Sequence, residues 1–373
     1  MMPVLRPALF GFLLAQLLAA SGAARWTPDP LGLGAAGLMP VPPGPLAPVR
    51  FLEDEAAKAM AAHVVGNADL TLERLSRLVL LHPEEPTARR AFGSRLLAIG
   101  ENEAAIAQFR AALRLDPLDA ATWHELAWAE AGALHSDDSL ESAARATRLM
   151  PGWAAAHLRQ GTLLLRAGQE RAGYDAINRA LACAHVPPEI YYEIGNMYLE
   201  QGAAKDAIPY YEEALRWRPG YSFAANNLGN AFKALKEPLK ARRCYEAAMA
   251  ADPANPNPRN ALGVLLQEQG DLAGALKAYR EAAKLDPAYA DARYNAGVLL
   301  LHQGKVREAL GDLAAASRLN PSLAVAHAQL GEAHFRLGHV RQALDSYMRA
   351  MSLDPNVKTK AAECRRLLGE RRP

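Results

Sequence analysis

A proline returns along this chain at a fixed interval of 34 residues, and this interval constrains the fold more than any other feature. The proline closes short segments such as Leu115-Asp116-Pro117 and Leu285-Asp286-Pro287. Its positions are Pro83, Pro117, Pro151, Pro219, Pro253, Pro287, Pro321 and Pro355. The interval is doubled once, where His185 stands at the skipped position. A period of this length indicates one structural unit copied many times.

Small and aromatic residues recur at fixed distances before each proline. Before Pro253 they are Gly229, Ala241, Tyr245 and Ala248. Two antiparallel helices approach closely where side chains are small, and proline ends the second helix. The aromatic is predicted to fill the space between one hairpin and the next. The pattern therefore predicts an all-α fold, an α-solenoid of antiparallel helix pairs.

The spacing and residue types resemble those of the tetratricopeptide repeat family. The resemblance covers residues 52–357 as nine units, of which the first is divergent. It implies a right-handed superhelical α-solenoid, with the first helix of each unit lining a concave groove. The units start at Leu52, Pro86, Ala120, Ala154, Pro188, Ser222, Pro256, Ala290 and Ala324. Residues 358–373 are predicted to form a capping helix and a basic tail.

The resemblance implies that positions 2, 5, 9 and 12 of each unit face the groove and that position 6 flanks it. These positions yield a candidate partner-binding set: Arg90, His124, Trp128, Tyr192, Asn196, Asn226, Asn227, Asn230, Asn260, Tyr294 and Asn295. An asparagine amide is both donor and acceptor, which suits the backbone of an extended peptide or protein segment. The alternative is that some asparagines cap local carbonyls or remain solvated. Asn227 and Asn295 also resemble the asparagine ladder of O-linked N-acetylglucosamine transferases, here without a catalytic domain.

No residue pattern points to catalysis, a cofactor or a metal site. His124-Glu125 is followed by Trp128 where a zinc-binding motif needs a second histidine. Asp138 and Glu141 are instead predicted to form a capping box at the start of a second helix. We therefore expect no enzymatic activity and no bound cofactor.

Charge and cysteine content narrow the class of partner. The chain has 42 Lys and Arg against 40 Asp and Glu, so it lacks the excess of basic residues that nucleic-acid binding requires. Cys183, Cys244 and Cys364 lie several repeats apart, so they are predicted to be free thiols. A disulfide between two molecules is the alternative.

The N-terminus is predicted to be a targeting segment. Residues 1–24 combine Arg6, an apolar stretch and the small-residue run Ser21-Gly22-Ala23, as a cleaved signal peptide does. Residues 25–51 are a linker rich in proline and glycine. We expect export to the periplasm, a secretory lumen or the outside, with no membrane span after cleavage. An uncleaved N-terminal anchor is the alternative.

These features predict an exported, non-enzymatic scaffold that binds an extended peptide or protein segment. The alternative is an accessory subunit of a glycosyltransferase or polysaccharide-export machine. The fourth unit is expected to be less stable than units six and seven, because it has His185 for proline, Gly173 for alanine and Gln160 at a usually apolar site.

Overall fold

The computed structural model describes residues 68–369. The predicted signal peptide, the linker and the end of the basic tail lie outside these residues. Every regular element within them is an α-helix. In chain order the helices are α1 (Ala68–Leu81), α2 (Pro86–Ala98), α3 (Asn102–Leu115), α4 (Ala120–Gly132), α5 (Ser136–Leu149), α6 (Ala154–Arg166), α7 (Glu170–Leu181), α8 (Pro188–Glu200), α9 (Ala204–Trp217), α10 (Ser222–Ala234), α11 (Pro238–Ala251), α12 (Asn257–Glu268), α13 (Leu272–Leu285), α14 (Ala290–His302), α15 (Val306–Leu319), α16 (Ala324–Arg336), α17 (Val340–Leu353) and α18 (Ala361–Leu367).

The helices form the predicted pairs. From α2 onward, each first helix packs on the second helix of its own repeat, as α2 does on α3 and α13 on α12. Within the described residues, contacts divide the chain into two bodies, residues 68–190 and 191–369. In each body, consecutive hairpins also pack on each other, for example α6 on α5 and α14 on α13. This is an α-solenoid of helix pairs.

A left-handed residue turns the chain between the two helices of each repeat. Glycine holds this place in six repeats, with φ between 74° and 86°. Leu134 and Lys236 stand at the equivalent place with φ of 65° and 60°. A side chain in this conformation is strained, by about 1–2 kcal/mol. These two turns therefore carry backbone strain that glycine at the same positions would not have.

A glycine and an aromatic ring set the distance between the two helices of a hairpin. A Cβ added to Gly229 would lie 2.5 Å from Cε1 of Tyr245 in the same repeat. The Tyr245 ring also packs against Leu265 of the next repeat. The aromatic thus fills the space inside its own hairpin as well as the predicted space between hairpins. In the third repeat, two buried alanines, Ala127 and Ala143, take the places of the glycine and the aromatic ring.

The fourth repeat differs at the end of its second helix. Helix α7 ends at Leu181, two residues earlier in the repeat than the other second helices, which end at the equivalents of Leu115. A Cβ on Gly173 would lie 2.7 Å from Cγ of Leu165 and 3.1 Å from the carbonyl oxygen of Gly161. Close helix approach therefore requires glycine at this position. The expected low stability of this repeat stays a prediction.

The predicted capping box at Asp138 is wrong. Helix α5 begins at Ser136, so Asp138 lies within its first turn, and the residue preceding the helix, His135, makes no side-chain capping bond. The Asp138 carboxylate instead forms an ion pair with Arg110 at 2.9 Å. Arg110 also binds Glu130, a buried carboxylate that accepts a hydrogen bond from Ser142. Asp138 thus takes part in a charge network between α3, α4 and α5.

Helix α18 packs on the last hairpin. Its Ala361 and Cys364 are buried against Ala343 and Tyr347 of α17. Lys360, just before the helix, forms an ion pair with Glu332 of α16 at 3.1 Å. All three cysteines are free thiols: Cys364 is buried, and Cys183 and Cys244 are half-buried. None of the helices within residues 68–369 has the length and apolar character needed to cross a bilayer.

Candidate functional site

In the first body, the predicted groove residue Arg90 is already paired. Its guanidinium contacts the Asp119 carboxylate, which directly precedes the next repeat, at 3.1 Å, and both side chains are partly exposed. Asp119 also accepts a bond from the backbone N–H of Ala121 at the start of α4. One turn after Arg90, the Ser94 hydroxyl donates to the Glu125 carboxylate. The positive charge of Arg90 is therefore compensated within the protein.

His124 and Trp128 lie in a cluster of aromatic and cationic side chains. The His124 ring is 4.7 Å from the Trp153 ring, and the Arg159 guanidinium lies 4.0 Å from the centre of the Trp128 ring. This distance is typical of a cation–π contact. Arg166 approaches the same Trp128 ring at 5.2 Å. The structure therefore brings the two predicted residues together with arginines of α6.

Burial shifts the pKa of two groups at this site, His124 and Glu125. It lowers the pKa of His124 well below its usual range, and the positive charge of Arg159 acts in the same direction. It raises the pKa of Glu125, an effect that the Ser94 hydrogen bond opposes. His124 is therefore neutral at neutral pH.

In the second body, six asparagines form hydrogen-bonded chains with four tyrosines, and we call these chains the amide ladder; the tyrosines are Tyr192, Tyr211, Tyr245 and Tyr289. In its first segment Asn227 of α10 donates to Oδ1 of Asn196 on α8, over 2.8 Å. Asn227 also accepts bonds from the amides of Asn226 and Asn230, over 3.0 and 3.2 Å. Tyrosines of the second helices complete it, since Tyr211 donates to Asn196 and Tyr245 to Asn230, each over 2.8 Å.

The second segment of the amide ladder joins the seventh and eighth repeats. Asn295 of α14 donates to Oδ1 of Asn260 on α12 over 2.9 Å. Asn260 in turn contacts the hydroxyl of Tyr289 over 3.4 Å. Tyr294, also predicted for the groove, is half-buried and packs beside the cluster around Leu300. The position-6 asparagines, Asn227 and Asn295, are thus the residues that link one repeat to the next.

Most polar groups of the amide ladder are already bonded, which neither sequence interpretation anticipated. The asparagines neither cap local carbonyls nor stay fully solvated. The Asn226 Oδ1 acceptor is buried and has no hydrogen-bond partner in the described part of the chain. Among the described residues, the Asn196 Nδ2 donor and the Asn295 Oδ1 acceptor also have no hydrogen-bond partner within the protein. Both side chains are partly exposed. The ladder therefore presents one donor and one acceptor to a ligand.

The structure adds residues that the groove positions did not select. Arg159 occupies position 6 of its repeat, as Asn227 and Asn295 do, so the same position rule could have found it. Tyr211 and Tyr245 were visible as repeated aromatics, but their hydroxyl bonds to the ladder depend on packing between helices. Burial raises the pKa of both phenols, so they remain neutral donors.

The described residues show no arrangement for metal chemistry. Within residues 68–369, no three His, Cys, Asp or Glu side chains lie together as metal ligands. The clusters consist of amides, phenols, paired charges and aromatic rings, which are groups that recognise and position a partner.

Comparison with known families agrees with this architecture. Models described as tetratricopeptide or TPR repeats match residues 56–120 and 158–224, 198–265, 265–304, and 324–357. In the described part of the chain, these segments lie within the array of paired helices. The fold thus defines the chain as a helix-hairpin scaffold, and the repeats are tetratricopeptide repeats. The chain is a tetratricopeptide repeat protein.

Individual relatives match over limited lengths. The chain is 33% identical over 67 residues to "Tetratricopeptide repeat domain-containing protein PYG7, chloroplastic" of Arabidopsis thaliana, a match that spans 18% of this chain and 22% of that protein. A chain in the crystal structure of the APC/C hetero-tetramer Cut9-Hcn1 aligns with a TM-score of 0.52 at 15% identity, over 85% of this chain and 55% of that one. The second similarity is one of fold alone. YrrB, titled a TPR protein with an unusual peptide-binding site, aligns with a TM-score of 0.35 at 23% identity, over 45% of this chain and 86% of its own.

Proposed function

We propose that this protein is a non-enzymatic scaffold that binds an extended peptide or protein segment along the amide ladder. The observation that carries the proposal is the pair of open polar groups on partly exposed asparagines, in a network whose third open group, Asn226 Oδ1, is buried. The Asn196 Nδ2 group can donate to a backbone carbonyl of the ligand, and the Asn295 Oδ1 group can accept from a backbone N–H. Recognition of this kind reads the main chain rather than the side chains.

The tyrosine hydroxyls prepare the ladder for binding. Tyr211 and Tyr245 hold Asn196 and Asn230 in fixed orientations, so less side-chain freedom is lost when a ligand arrives. The rings themselves are fully buried, so they cannot turn away. The Tyr192 hydroxyl accepts from Asn227 of the first segment, and its ring packs with Phe223 in a half-buried aromatic cluster that offers contact area.

Export is a second part of the proposal, and it rests on the sequence of residues 1–24. The alternative role, an accessory subunit of a glycosyltransferase or polysaccharide-export machine, uses the same ladder with a different partner. The identity of the captured partner distinguishes the two roles.

Site-specific photo-crosslinking tests the proposal. A photoreactive amino acid placed at Val264 or Val298, half-buried residues at the same helical position as Asn196, should capture a partner in cells. The control places it at Arg242, an exposed residue of α11. Adducts from both first-helix positions and none from Arg242 support the ladder as the binding surface. Adducts from Arg242 alone, or from none of the three, contradict it.

A further inference from the structure

A basic cavity lies between the second helix of the seventh repeat, α13, and the turn that precedes α15 in the eighth repeat, and none of its lining residues belongs to the amide ladder. It has a volume of about 790 Å³. Four cationic side chains line it, namely Lys277, Arg280, Lys284 and Lys305, together with two carboxylates, Asp271 and Glu281. We call this surface the basic furrow. A smaller cavity of about 350 Å³ shares Arg280 and Lys284 and continues along α13 toward Pro287.

The cations of the basic furrow are weakly compensated. Lys277 is 4.0 Å from Glu281, and Arg280 is 3.5 Å from Glu308; all four side chains are at least half exposed. Lys284 and Lys305 form no ion pair with any described residue and are exposed. Exposed pairs at such distances contribute little energy. An anionic ligand can therefore take these cations without breaking a strong internal contact.

The remaining lining indicates what kind of anion fits. Leu272, Ala273 and Leu276 form an apolar side of the cavity, which a bare phosphate or polyphosphate cannot use. Gln303 also lines the cavity, and its Oε1 atom has no hydrogen-bond partner in the described part of the chain. Rotation of this flexible side chain would let the oxygen accept a bond from a peptide N–H, a donor that phosphate lacks.

From this combination we infer that the basic furrow binds an acidic peptide segment that also carries leucine-like side chains. The carboxylates of the segment face Lys284 and Lys305, and its apolar side chains cover Leu272 and Leu276. Its lining comes from α13 and the turn before α15 and contains no ladder residue, so its occupant and the ligand of the amide ladder use different residues. The protein would then join two partners, or two segments of one partner.

Fluorescence anisotropy on the full chain tests the inference with synthetic peptides. The probe is a short labelled peptide in which glutamate and leucine alternate, compared with one that has glutamine for glutamate and one that has serine for leucine. We expect the first peptide to bind with an affinity that falls as salt rises, and each of the others to bind at least about tenfold more weakly.

Charge reversal locates the site. The double variant Lys284→Glu and Lys305→Glu should weaken binding of the first peptide by at least about tenfold, with unchanged circular dichroism. The matched control is Lys205→Glu on α9, which is likewise exposed and outside the furrow, and it should bind normally. Unchanged affinity in the double variant would overturn the inference. Equal binding of the glutamine or serine peptide, or displacement by tripolyphosphate at the same concentration as the peptide, would overturn it too.

Discussion

Replacing Gly229 by alanine should destabilise its hairpin when Tyr245 is present and stabilise it when Tyr245 is also replaced by alanine. The added Cβ lies 2.5 Å from Cε1 and 2.7 Å from Cδ1 of the Tyr245 ring. Carbon atoms prefer about 3.5–4.0 Å, so the ring must move by about 1 Å. Tyr245 is fully buried and its hydroxyl is bonded to Asn230, so no free space receives it. Such overpacking costs about 1–3 kcal/mol.

Alanine also has a favourable effect on helix stability, which the Tyr245 variant separates from the cost of the clash. It stabilises a helix interior by about 1 kcal/mol relative to glycine. The single variant Gly229→Ala should therefore have a net loss of up to about 2 kcal/mol at most positions of α10 and α11. In a Tyr245→Ala background the clash is gone, and the same substitution should gain about 1 kcal/mol. The third repeat already has this combination in Ala127 and Ala143.

Native-state hydrogen exchange measures both effects locally, which suits a repeat array that can open in parts. The control is Gly311→Ala on α15, where an added Cβ meets nothing within 4 Å. This variant should be more stable by about 1 kcal/mol. If Gly229→Ala changes protection of α10 and α11 equally in both backgrounds, the glycine–ring contact does not set the hairpin distance.

Three further changes test other features. Leu134→Gly and Lys236→Gly should each stabilise their hairpin by about 0.5–1 kcal/mol in urea unfolding, because glycine adopts φ values of 65° and 60° without strain. An unchanged free energy of unfolding would contradict the strain at these two turns. The pKa of His124 is lower in the folded state than in the unfolded chain, so the unfolded chain binds a proton first as the pH falls. The fold therefore keeps its full stability above about pH 6.5 and loses stability below that pH. Protection of α4 should therefore fall by up to about 1.4 kcal/mol per pH unit toward pH 5, and His124→Gln should flatten this slope; equal slopes would refute the assignment. Mass spectrometry of the native protein should find residues 1–24 removed, and retention of Met1 would favour an anchor.

Local signals were enough to predict the helix pairs. The fixed proline interval and the small residues at the crossing depend on sequence neighbours, and helices begin at the expected Pro86, Ala120, Ala154 and Pro188. Asp138 was misread because three acidic or polar residues compete as helix caps at this turn. The helix begins at Ser136, and Asp138 instead forms an ion pair with Arg110 on the preceding hairpin.

The candidate site was predictable as a set of positions and not as a network. The groove positions that the resemblance to tetratricopeptide repeats implies select Asn196, Asn227 and Asn230. Which amide binds which oxygen depends on the offset between neighbouring hairpins and on the Tyr211 and Tyr245 hydroxyls, which come from second helices. For that reason an alanine at Asn230 would also leave the Tyr245 hydroxyl without its acceptor, and alanine scanning of the ladder mixes binding with stability.

An isosteric change at Asn196 tests the binding proposal most directly. Asn196→Asp keeps the oxygen that accepts from Tyr211 and Asn227, but it replaces the open Nδ2 donor with a carboxylate oxygen that repels a ligand carbonyl. The control is Asn320→Asp, which makes the same change where Oδ1 accepts from Ser322 in a loop. By calorimetry with the segment recovered through crosslinking, Asn196→Asp should weaken binding by about 1–3 kcal/mol and Asn320→Asp should not. Equal affinity of the Asn196→Asp variant and the unchanged protein would contradict ligand recognition by the amide ladder.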